Sequence, residues 1–228
     1  MGKDADKAVN IILQHWMGDL DALAILSNNN ISRYARKVGA DYKLLRGDVF
    51  REGLSPQCQK MIMLDERWDD YDTVLMLDMD MFARKGIKEN VFEHEGVGLH
   101  EPMQEGCAKK MHYMFPNVGN LKYSYWGGAI WKLDRELRQL LRAGIHGIEM
   151  NLFTDEFYDE GIMHGLAVLA KVKGRYFPNS RWCKSSYELD VADSYMIHVR
   201  HRKLIKGVKV PSTKMMVYEG LAARGLIA

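Results

Sequence analysis

The amino-acid sequence predicts an α/β fold built on a mainly parallel central sheet. The first observation is an unbroken apolar run at 74–77 (VLML), which is typical of a strand buried on both faces. The second is the order strand, helix, strand near the start of the chain, with strands predicted at 9–13 (VNIIL) and 40–45 (ADYKLL). That order is typical of the right-handed crossover units that build parallel sheets.

Length and composition favour one globular domain with a full core. The chain has 228 residues, of which 47% are hydrophobic, and a net charge of only +2. This charge balance excludes a strong overall field for nucleic acid or a membrane surface. The three cysteines, Cys58, Cys107 and Cys183, are odd in number and widely spaced, which argues against a disulfide framework or a zinc site.

The first strand predicts a ligand-facing turn. A loop is expected at the carboxyl end of the strand, formed by Gln14, His15 and Trp16 and ending near Gly18. Two helices should follow, one from Asp19 to about Leu26 and one at 31–38 that ends at Gly39.

The next helix is predicted to begin at Ser55-Pro56 and to reach Trp68, with apolar residues at helical spacing. Lys60 lies on it, either on a solvated face or brought near a ligand by the strand that follows.

The buried strand at 74–77 ends in Asp78 and Asp80. If the extended geometry continues, their side chains leave the same face, with Cα atoms about 6.6 Å apart. Two carboxylates this close need positive charge between them, and carboxylate oxygens suit Mg²⁺ or Mn²⁺. The alternative is a solvated loop, but ligands of open α/β sheets bind at the carboxyl ends of the strands, where this pair lies.

The second half contains aromatic and glycine signals. A strand is predicted at 96–99, a long loop at 100–120, and a strand at 123–133 that is interrupted by Gly127 and Gly128. Trp126 would be either a platform for a sugar ring or a buried side chain beside a bulge. Asp134 should start a helix that reaches Arg142.

The last third combines acidic and basic segments. Residues 154–160 (TDEFYDE) open a helix that continues to 169, with His164 on its face, and their carboxylates are capping or surface residues unless the fold places one near the metal. An edge strand is expected at 172–177, a strand at 194–198 that ends in His198, and a closing helix at 214–223. After His198 come Arg200, Arg202 and Lys203, which form either a basic surface turn or a diphosphate contact.

Four of these segments together resemble the GT-A fold glycosyltransferases, in particular the small soluble glycosyltransferases of chlorella viruses. They are 71–82 with its Asp-x-Asp, 196–203 with its histidine and lysine, 126–128 (WGG), and Asp159-Glu160 before a helix.

The resemblance implies a Rossmann-like sheet with a small antiparallel addition, in one domain over 1–228. Residues up to about 100 would bind the nucleotide, and residues 101–228 would bind the sugar and acceptor. Asp78, Asp80 and His198 would hold Mn²⁺ or Mg²⁺, and the reaction would retain the sugar's configuration. The donor would be a nucleotide sugar, most simply a UDP-sugar, and the acceptor an oligosaccharide or glycoprotein glycan.

The remaining contacts are distributed along the chain. Base and ribose would lie at 14–16, with Lys60, Met79 and 126–128 also at the donor. The sugar's acidic contact is left open between Asp155 and Asp159, and Asp159 or Glu160 could act as base or nucleophile. The phosphate contact is left open among Arg200, Arg202 and Lys203.

Two rival functions share some of these features. A nucleotidyltransferase or sugar-nucleotide pyrophosphatase would share the acidic strand end but would more often carry a Gly-rich phosphate loop near the N-terminus. A non-catalytic carbohydrate-binding domain would not need the two aspartates and the basic segment together. The sequence carries no signal-peptide or transmembrane pattern, so a cytoplasmic protein without membrane insertion is expected, in the host cytoplasm if the protein is viral.

Overall fold

The architecture is that of a mixed α/β protein with three small groups of strands. It is taken from a computed structural model that describes residues 8–99, 102–153, 157–201, 204–205, 208–209 and 213–228. The strands are β1 (Asn10–Trp16), β2 (Asp41–Arg46), β3 (Thr73–Leu77), β4 (Met81–Ala83), β5 (Ile130–Asp134), β6 (Lys184–Ser185), β7 (Met196–His198), β8 (Leu204–Ile205) and β9 (Val208–Lys209). The α-helices are α1 (Ala22–Val38), α2 (Pro102–Met114), α3 (Arg135–Ala143), α4 (Tyr158–Leu169) and α5 (Lys214–Ala223).

The central sheet has four strands in the order β2-β1-β3-β5. Strand β1 is parallel to both β2 and β3, and β5 runs antiparallel to β3 at the edge. The predicted mainly parallel sheet and its first crossover unit are therefore confirmed. Since β1 and β3 run the same way, their carboxyl ends meet at one edge, where Gln14 lies beside Leu77.

The central strands are buried on both faces, as the apolar run at 74–77 predicts. One face of β1 and β3, including Ile11 and Met76, packs against α3, α4 and a 3₁₀ helix at Cys58–Leu64. The other face, including Ile12 and Leu75, packs against α1. Helices on both faces exclude water from the central strands. The carboxyl ends of these strands are left open, and a site can form there.

A second, smaller sheet extends the first and has the order β4-β7-β6. Strand β4 pairs antiparallel with β7, with Met81 opposite His198, and β6 pairs parallel with β7. This sheet is the small antiparallel addition that the fold class predicted. It brings a strand from residues 196–198 next to the turn after β3, so groups far apart in sequence meet.

The prediction of two helices at 19–38 is wrong, because α1 is one continuous helix. Its N-cap is Asp21, whose carboxylate accepts from the backbone N–H of Ala24, and it ends at Gly39 as expected. The polar run Asn28-Asn29-Asn30 does not break it, because tertiary contacts satisfy two of these amides. Asn30 bonds the backbone of Ala83, and Asn28 accepts from the Tyr42 hydroxyl.

The helix predicted from Ser55 to Trp68 is also wrong. The segment forms two short 3₁₀ helices, Cys58–Leu64 and Glu66–Trp68. All seven residues of the first are buried, so the solvated face that an amphipathic α-helix needs does not exist.

The second half is more helical and less extended than the sequence predicts. The loop expected at 100–120 contains α2, although Gly106 lies inside that helix. The strand expected at 123–133 shortens to β5, and those at 96–99 and 172–177 reduce to one bridge between Gly98 and Tyr176.

Three local predictions in the second half are confirmed. Asp134 caps α3 by accepting from the backbone N–H of Leu137, β7 ends at His198, and α5 spans 214–223. Among the described residues, no helix combines the length and apolarity needed to cross a membrane.

Candidate active site

Asp78 follows β3 directly and is fixed by its backbone. Its N–H donates to the carbonyl of Ala129 at 3.0 Å, and its carbonyl accepts from the backbone N–H of Met81 at 3.1 Å. The Gln14 side-chain amide donates to the same carbonyl at 2.9 Å. The expectation that strand geometry continues from Asp78 to Asp80 is therefore wrong, because residues 78–80 form a tight turn between β3 and β4.

Asp80 lies beside His198 because of the register of the small sheet. The backbone N–H of Val199 donates to the carbonyl of Asp80 at 2.8 Å, and Met81 pairs with His198. The Asp80 Oδ1 and His198 Nε2 atoms are 3.1 Å apart. Within the described part of the chain, Asp78, Asp80 and His198 form a group whose potential ligand atoms all lie within 4.8 Å of one another.

This group has the donor set and spacing of a divalent-cation site. Mg²⁺ and Mn²⁺ accept carboxylate oxygens, imidazole nitrogen is a further ligand, and bonds of about 2.1 Å put opposite ligands about 4.2 Å apart. The observed upper limit of 4.8 Å is close to that value. The three residues therefore fit a divalent metal, with the cleft side left for substrate oxygens.

The charge on Asp80 is already balanced by a lysine. Its second carboxylate oxygen pairs with Lys214, from the first turn of α5. Burial alone would raise the pKa of Asp80, but His198 and Lys214 outweigh it and hold that pKa well below its usual range. Asp80 is therefore ionised at any pH where the protein would work, as a metal ligand must be.

Lys60 connects the turn after β3 to the start of α4. Its ammonium lies 2.6 Å from Asp78 Oδ1, 2.5 Å from Asp159 Oδ2 and 2.8 Å from the carbonyl of Gly128. Burial would lower the pKa of Lys60, but the charges of Asp159 and Asp78 outweigh it and raise that pKa. Lys60 is therefore a buried cation between two carboxylates, and the solvated-face alternative is wrong.

Asp159, which lies on the other side of Lys60 from Asp78, and Glu160 are in the first turn of α4. Burial raises the pKa of both carboxyls, and the neighbouring carboxylate of Asp78 raises it further. The single positive charge of Lys60 lowers both pKa values but does not offset these two effects. Glu160 accepts from the backbone N–H of Gly128 at 2.7 Å and from the Tyr125 hydroxyl at 2.8 Å. Both carboxylates therefore have fixed positions.

A cleft of about 450 Å³ lies against Asp78 and Asp80. His15 and Trp16 line it, as expected, together with Met79 and Lys60; its other lining residues are Met17, Asp21, Leu23, Ala24, Pro56, Gln57 and Lys214. The loop predicted at 14–16 is wrong, because these residues are the end of β1. Gln14 is fully buried and bonds Ser27 and Asp78, so it supports the turn and does not face the cleft.

Trp126 does not provide a sugar platform. Its side chain is only 1% exposed, and its indole N–H donates to the carbonyl of Gly174. The buried alternative is therefore correct. The glycines after it do allow close approach, because a Cβ on Gly128 would lie 2.9 Å from Asp159 Oδ2 and one on Gly127 would lie 2.8 Å from Gln104 Nε2.

The remaining predicted contacts are only partly described. Arg200 follows β7 and bonds Ser186 through its backbone, while Asp155, Arg202 and Lys203 lie outside the described residues. Sequence reasoning missed Lys214 and Tyr125. No local pattern marks Lys214, which is 134 positions from Asp80, and the Tyr125 hydroxyl is placed only by the packing of α4.

Comparison with solved structures agrees with this architecture, whereas comparison of the sequence found no relative. No protein-family model matches the sequence, and no curated protein matches it. Among solved structures, the chain is similar to a glycosyltransferase involved in the glycosylation of the major capsid of PBCV-1, with a TM-score of 0.58 and 10% identity over 94% of this chain and 99% of that one.

It is also similar to the galactosyltransferase LgtC, solved in complex with donor and acceptor sugar analogues. That TM-score is 0.53, with 11% identity over 93% of this chain and 95% of LgtC. Both likenesses are likenesses of fold, and they confirm the GT-A fold that the sequence motifs predicted.

Proposed function

We propose that this protein is a metal-dependent glycosyltransferase that moves a sugar from a nucleoside diphosphate sugar, with UDP as the nucleotide, to a glycan acceptor. The observation that carries the proposal is the group of Asp78, Asp80 and His198 at the edge of a 450 Å³ cleft. The cleft lies at the carboxyl ends of the parallel strands, where ligands of open α/β sheets bind. The GT-A fold also supports a glycosyltransferase function.

The metal side of the site serves the departing diphosphate. Asp78, Asp80 and His198 would hold Mn²⁺ or Mg²⁺, which stabilises negative charge on a leaving diphosphate. Lys214 lies on the same cleft and can turn from Asp80 to a phosphate oxygen once a metal balances that carboxylate. We propose it as a diphosphate contact beside Arg200 and the sequence-predicted Arg202 and Lys203.

The base and ribose would occupy the other end of the cleft. Trp16, His15 and Met79 line the same cleft as Asp78 and Asp80. The Trp16 ring is held by its indole N–H, which donates to the carbonyl of Asp19 at 2.8 Å. A ring fixed in this way offers a flat apolar surface to a nucleobase.

The state of the carboxylates favours a retaining reaction. An inverting enzyme needs a carboxylate free to take the acceptor's proton, whereas a retaining enzyme can leave that proton to the departing phosphate. Glu160 already accepts two hydrogen bonds, and Asp159 pairs with Lys60. We therefore assign Asp159 and Glu160, with Gly127 and Gly128, to positioning the transferred sugar, and Asp155 keeps its sequence-based role as an alternative contact.

We propose that 1–228 act as one catalytic domain, with the nucleotide bound mainly by residues before about 100. The main core supports this, because it includes side chains from both halves, from Ile11 to Val172. The glycan acceptor and the cytoplasmic location remain predictions from the sequence.

The test is calorimetric titration of UDP and of several UDP-sugars with Mn²⁺ or with EDTA. We expect binding that requires the metal and that is lost in Asp80→Asn, while Asp70→Asn, an exposed acid elsewhere on the chain, binds like wild type. Circular dichroism checks that both variants are folded. Binding that is equal with EDTA would contradict the proposed metal site.

Product analysis separates the rival enzyme class. A transferase releases UDP from a UDP-sugar, whether the sugar goes to a glycan or to water. A sugar-nucleotide pyrophosphatase releases UMP and a sugar 1-phosphate, and that pair of products would replace this proposal with the rival one.

A further inference from the structure

A buried histidine on α4 holds the 119–128 segment, which carries Tyr125 and Gly128 into the candidate site. The His164 side chain is 1% exposed. Its Nδ1 atom lies 2.8 Å from the carbonyl oxygen of Ser124, and its Nε2 atom accepts the backbone N–H of Asn120 at 3.2 Å. One imidazole therefore fixes two points of the segment against α4.

The two partners determine the protonation state of His164. A carbonyl oxygen only accepts, so Nδ1 carries the hydrogen, and a backbone N–H only donates, so Nε2 carries a lone pair. The neutral imidazole satisfies both partners. The charged imidazole has a donor at each nitrogen, which would bring a second N–H against that of Asn120. Protonation of His164 must therefore break its bond to Asn120.

The same face of α4 holds the segment one turn earlier. Glu160 lies four residues before His164, and side chains at this spacing share one face of a helix. Glu160 accepts from the Tyr125 hydroxyl and from the backbone N–H of Gly128. The Gly128 carbonyl in turn accepts from Lys60. The two side chains of α4 together fix where the segment lies beside the candidate site.

The surroundings of His164 oppose a positive charge. Burial lowers the pKa of His164 by more than the bond to the Ser124 carbonyl raises it, and His112 on α2 lowers it further. The Tyr125 ring lies 5.3 Å from the imidazole, and burial and the charge of Glu160 raise the pKa of Tyr125 well above its usual range. Among the described residues, no carboxylate forms an ion pair with His164. Nothing there stabilises the charged ring.

We infer that His164 is a positioning residue of the candidate site, and that its neutral imidazole is an acid-sensitive restraint on the 119–128 segment. While the imidazole is neutral, Glu160 and the Gly128 carbonyl keep the places at which the transferred sugar is proposed to bind. Protonation releases the segment at Asn120. The effect on the sugar rests on the proposed function, whereas the restraint is defined by the contacts of His164 alone.

The direction of the pH effect follows from where the proton binds. When the segment opens, His164 takes up a proton near its ordinary pKa of 6.5, whereas in the closed segment it does so only at lower pH. The restraint is therefore fully present above pH 6.5 and is lost as the pH falls below it. Opening should become about tenfold easier between pH 7.5 and pH 5.5.

Hydrogen exchange followed by mass spectrometry measures this opening without any ligand. In wild type, the protection of peptides covering 119–128, relative to the unfolded chain at the same pH, should fall about tenfold from pH 7.5 to pH 5.5. His164→Gln keeps a donor and an acceptor but does not titrate, so its protection should not fall. His146→Gln, which changes an exposed histidine, should behave like wild type.

Peptides from α3 provide the internal control, since their protection should not follow the titration of His164. The inference is overturned if protection of 119–128 in wild type does not change with pH, or if it falls equally in His164→Gln. An equal fall in the α3 peptides would assign the effect to acid unfolding of the whole protein, which also overturns it.

The positioning role is tested at pH 7.5 by comparing His164→Leu with His164→Gln. The probes are UDP, UDP-glucose and UDP-galactose with Mn²⁺, and the ratio of UDP-sugar affinity to UDP affinity isolates the contribution of the sugar. We expect His164→Leu, which leaves Asn120 and Ser124 without their partner, to change this ratio at least about threefold, as when part of one hydrogen bond is lost. His164→Gln should restore the wild-type ratio, and UDP itself should bind equally well to both variants.

The positioning role is contradicted if His164→Leu keeps the wild-type ratio, or if neither sugar changes the affinity for UDP in wild type. Failure of wild type to bind UDP at all would contradict the proposed function instead. Hydrogen exchange needs no ligand, so it would still decide whether His164 restrains the segment.

Discussion

At the scale of single residues, Lys60 decides whether the two sides of the candidate site can exist together. It places one positive charge within 2.6 Å of Asp78 and within 2.5 Å of Asp159, in a position that is 5% exposed. Buried carboxylates without such a partner would be strongly unfavourable. Sequence alone identified Lys60 as a candidate but could not place it, because its partners lie 18 positions and almost 100 positions away.

Removing this charge should destabilise the protein. We expect Lys60→Met to lower the free energy of unfolding by about 3–5 kcal/mol, because it leaves buried carboxylates unpaired. Urea unfolding followed by circular dichroism measures the change. The control is Lys109→Met, which breaks an exposed pair with Glu105 and should cost no more than about 0.5 kcal/mol. Equal effects of the two substitutions would show that the Lys60 pairs contribute nothing.

Lys132 should make stability depend on alkaline pH. Burial lowers its pKa from 10.5 to about 8, while it donates to the carbonyls of Val91 and His94. Between these two values the unfolded chain binds a proton that the folded protein has released, so the free energy of unfolding rises with pH across that window.

The matched variant for this effect is Lys132→Met. This variant loses two hydrogen bonds, and that loss affects its stability by the same amount at every pH. The free energy of unfolding of wild type minus that of the variant should therefore increase from about pH 8 to pH 10.5 and stay constant below pH 7. Urea unfolding across this range measures it. A difference that does not change with pH would mean that the folded protein leaves the pKa of Lys132 unshifted.

At the scale of elements, α3 and α5 were predicted well, whereas α2 and the two 3₁₀ helices were not. Helix α3 has its capping aspartate, and α5 begins after Thr213, whose hydroxyl accepts from the backbone N–H of Met216. Helix α2 was missed because Gly106 and the surrounding glycines and prolines read as a loop. The 3₁₀ helices were missed because full burial removes the polar face on which helical periodicity depends.

The cap of α3 can be tested directly. Asp134→Ala removes the acceptor for the backbone N–H of Leu137 and should cost about 1 kcal/mol of stability. Asp134→Asn keeps that acceptor but loses the exposed ion pair with Arg175, so it should change stability by only a few tenths of a kcal/mol. Thermal unfolding of the two variants compares them, and an equal loss would assign the effect to the ion pair.

At the scale of the whole molecule, the candidate metal group joins distant parts of the chain. Asp78 and Asp80 lie in the turn between β3 and β4, and His198 ends β7. The unfolded chain does not hold these groups together, so a ligand that needs all three binds the folded state alone. Such a ligand must stabilise the fold by mass action.

UDP with Mn²⁺ should therefore raise the melting temperature. At a free concentration about 100 times the dissociation constant, the expected stabilisation is about 2.7 kcal/mol. Differential scanning calorimetry measures it, and EDTA should abolish it. His198→Ala should lose most of the gain, whereas His146→Ala, an exposed histidine outside the site, should keep it. An unchanged gain in His198→Ala would remove His198 from the proposed ligand set.

The sequence by itself determined the class of fold and the position of the Asp-x-Asp at the end of a buried strand. Apolar runs, capping residues and an Asp-x-Asp at a strand end are local signals, and each reflects physical chemistry that acts over a few neighbouring residues. Tertiary structure alone decided which groups meet: Lys60 with Asp159, Lys214 with Asp80, and the Gln104 amide with Gly127. These contacts depend on how sheets and helices pack across intervals of 23 to 134 positions, and no local pattern encodes such distances.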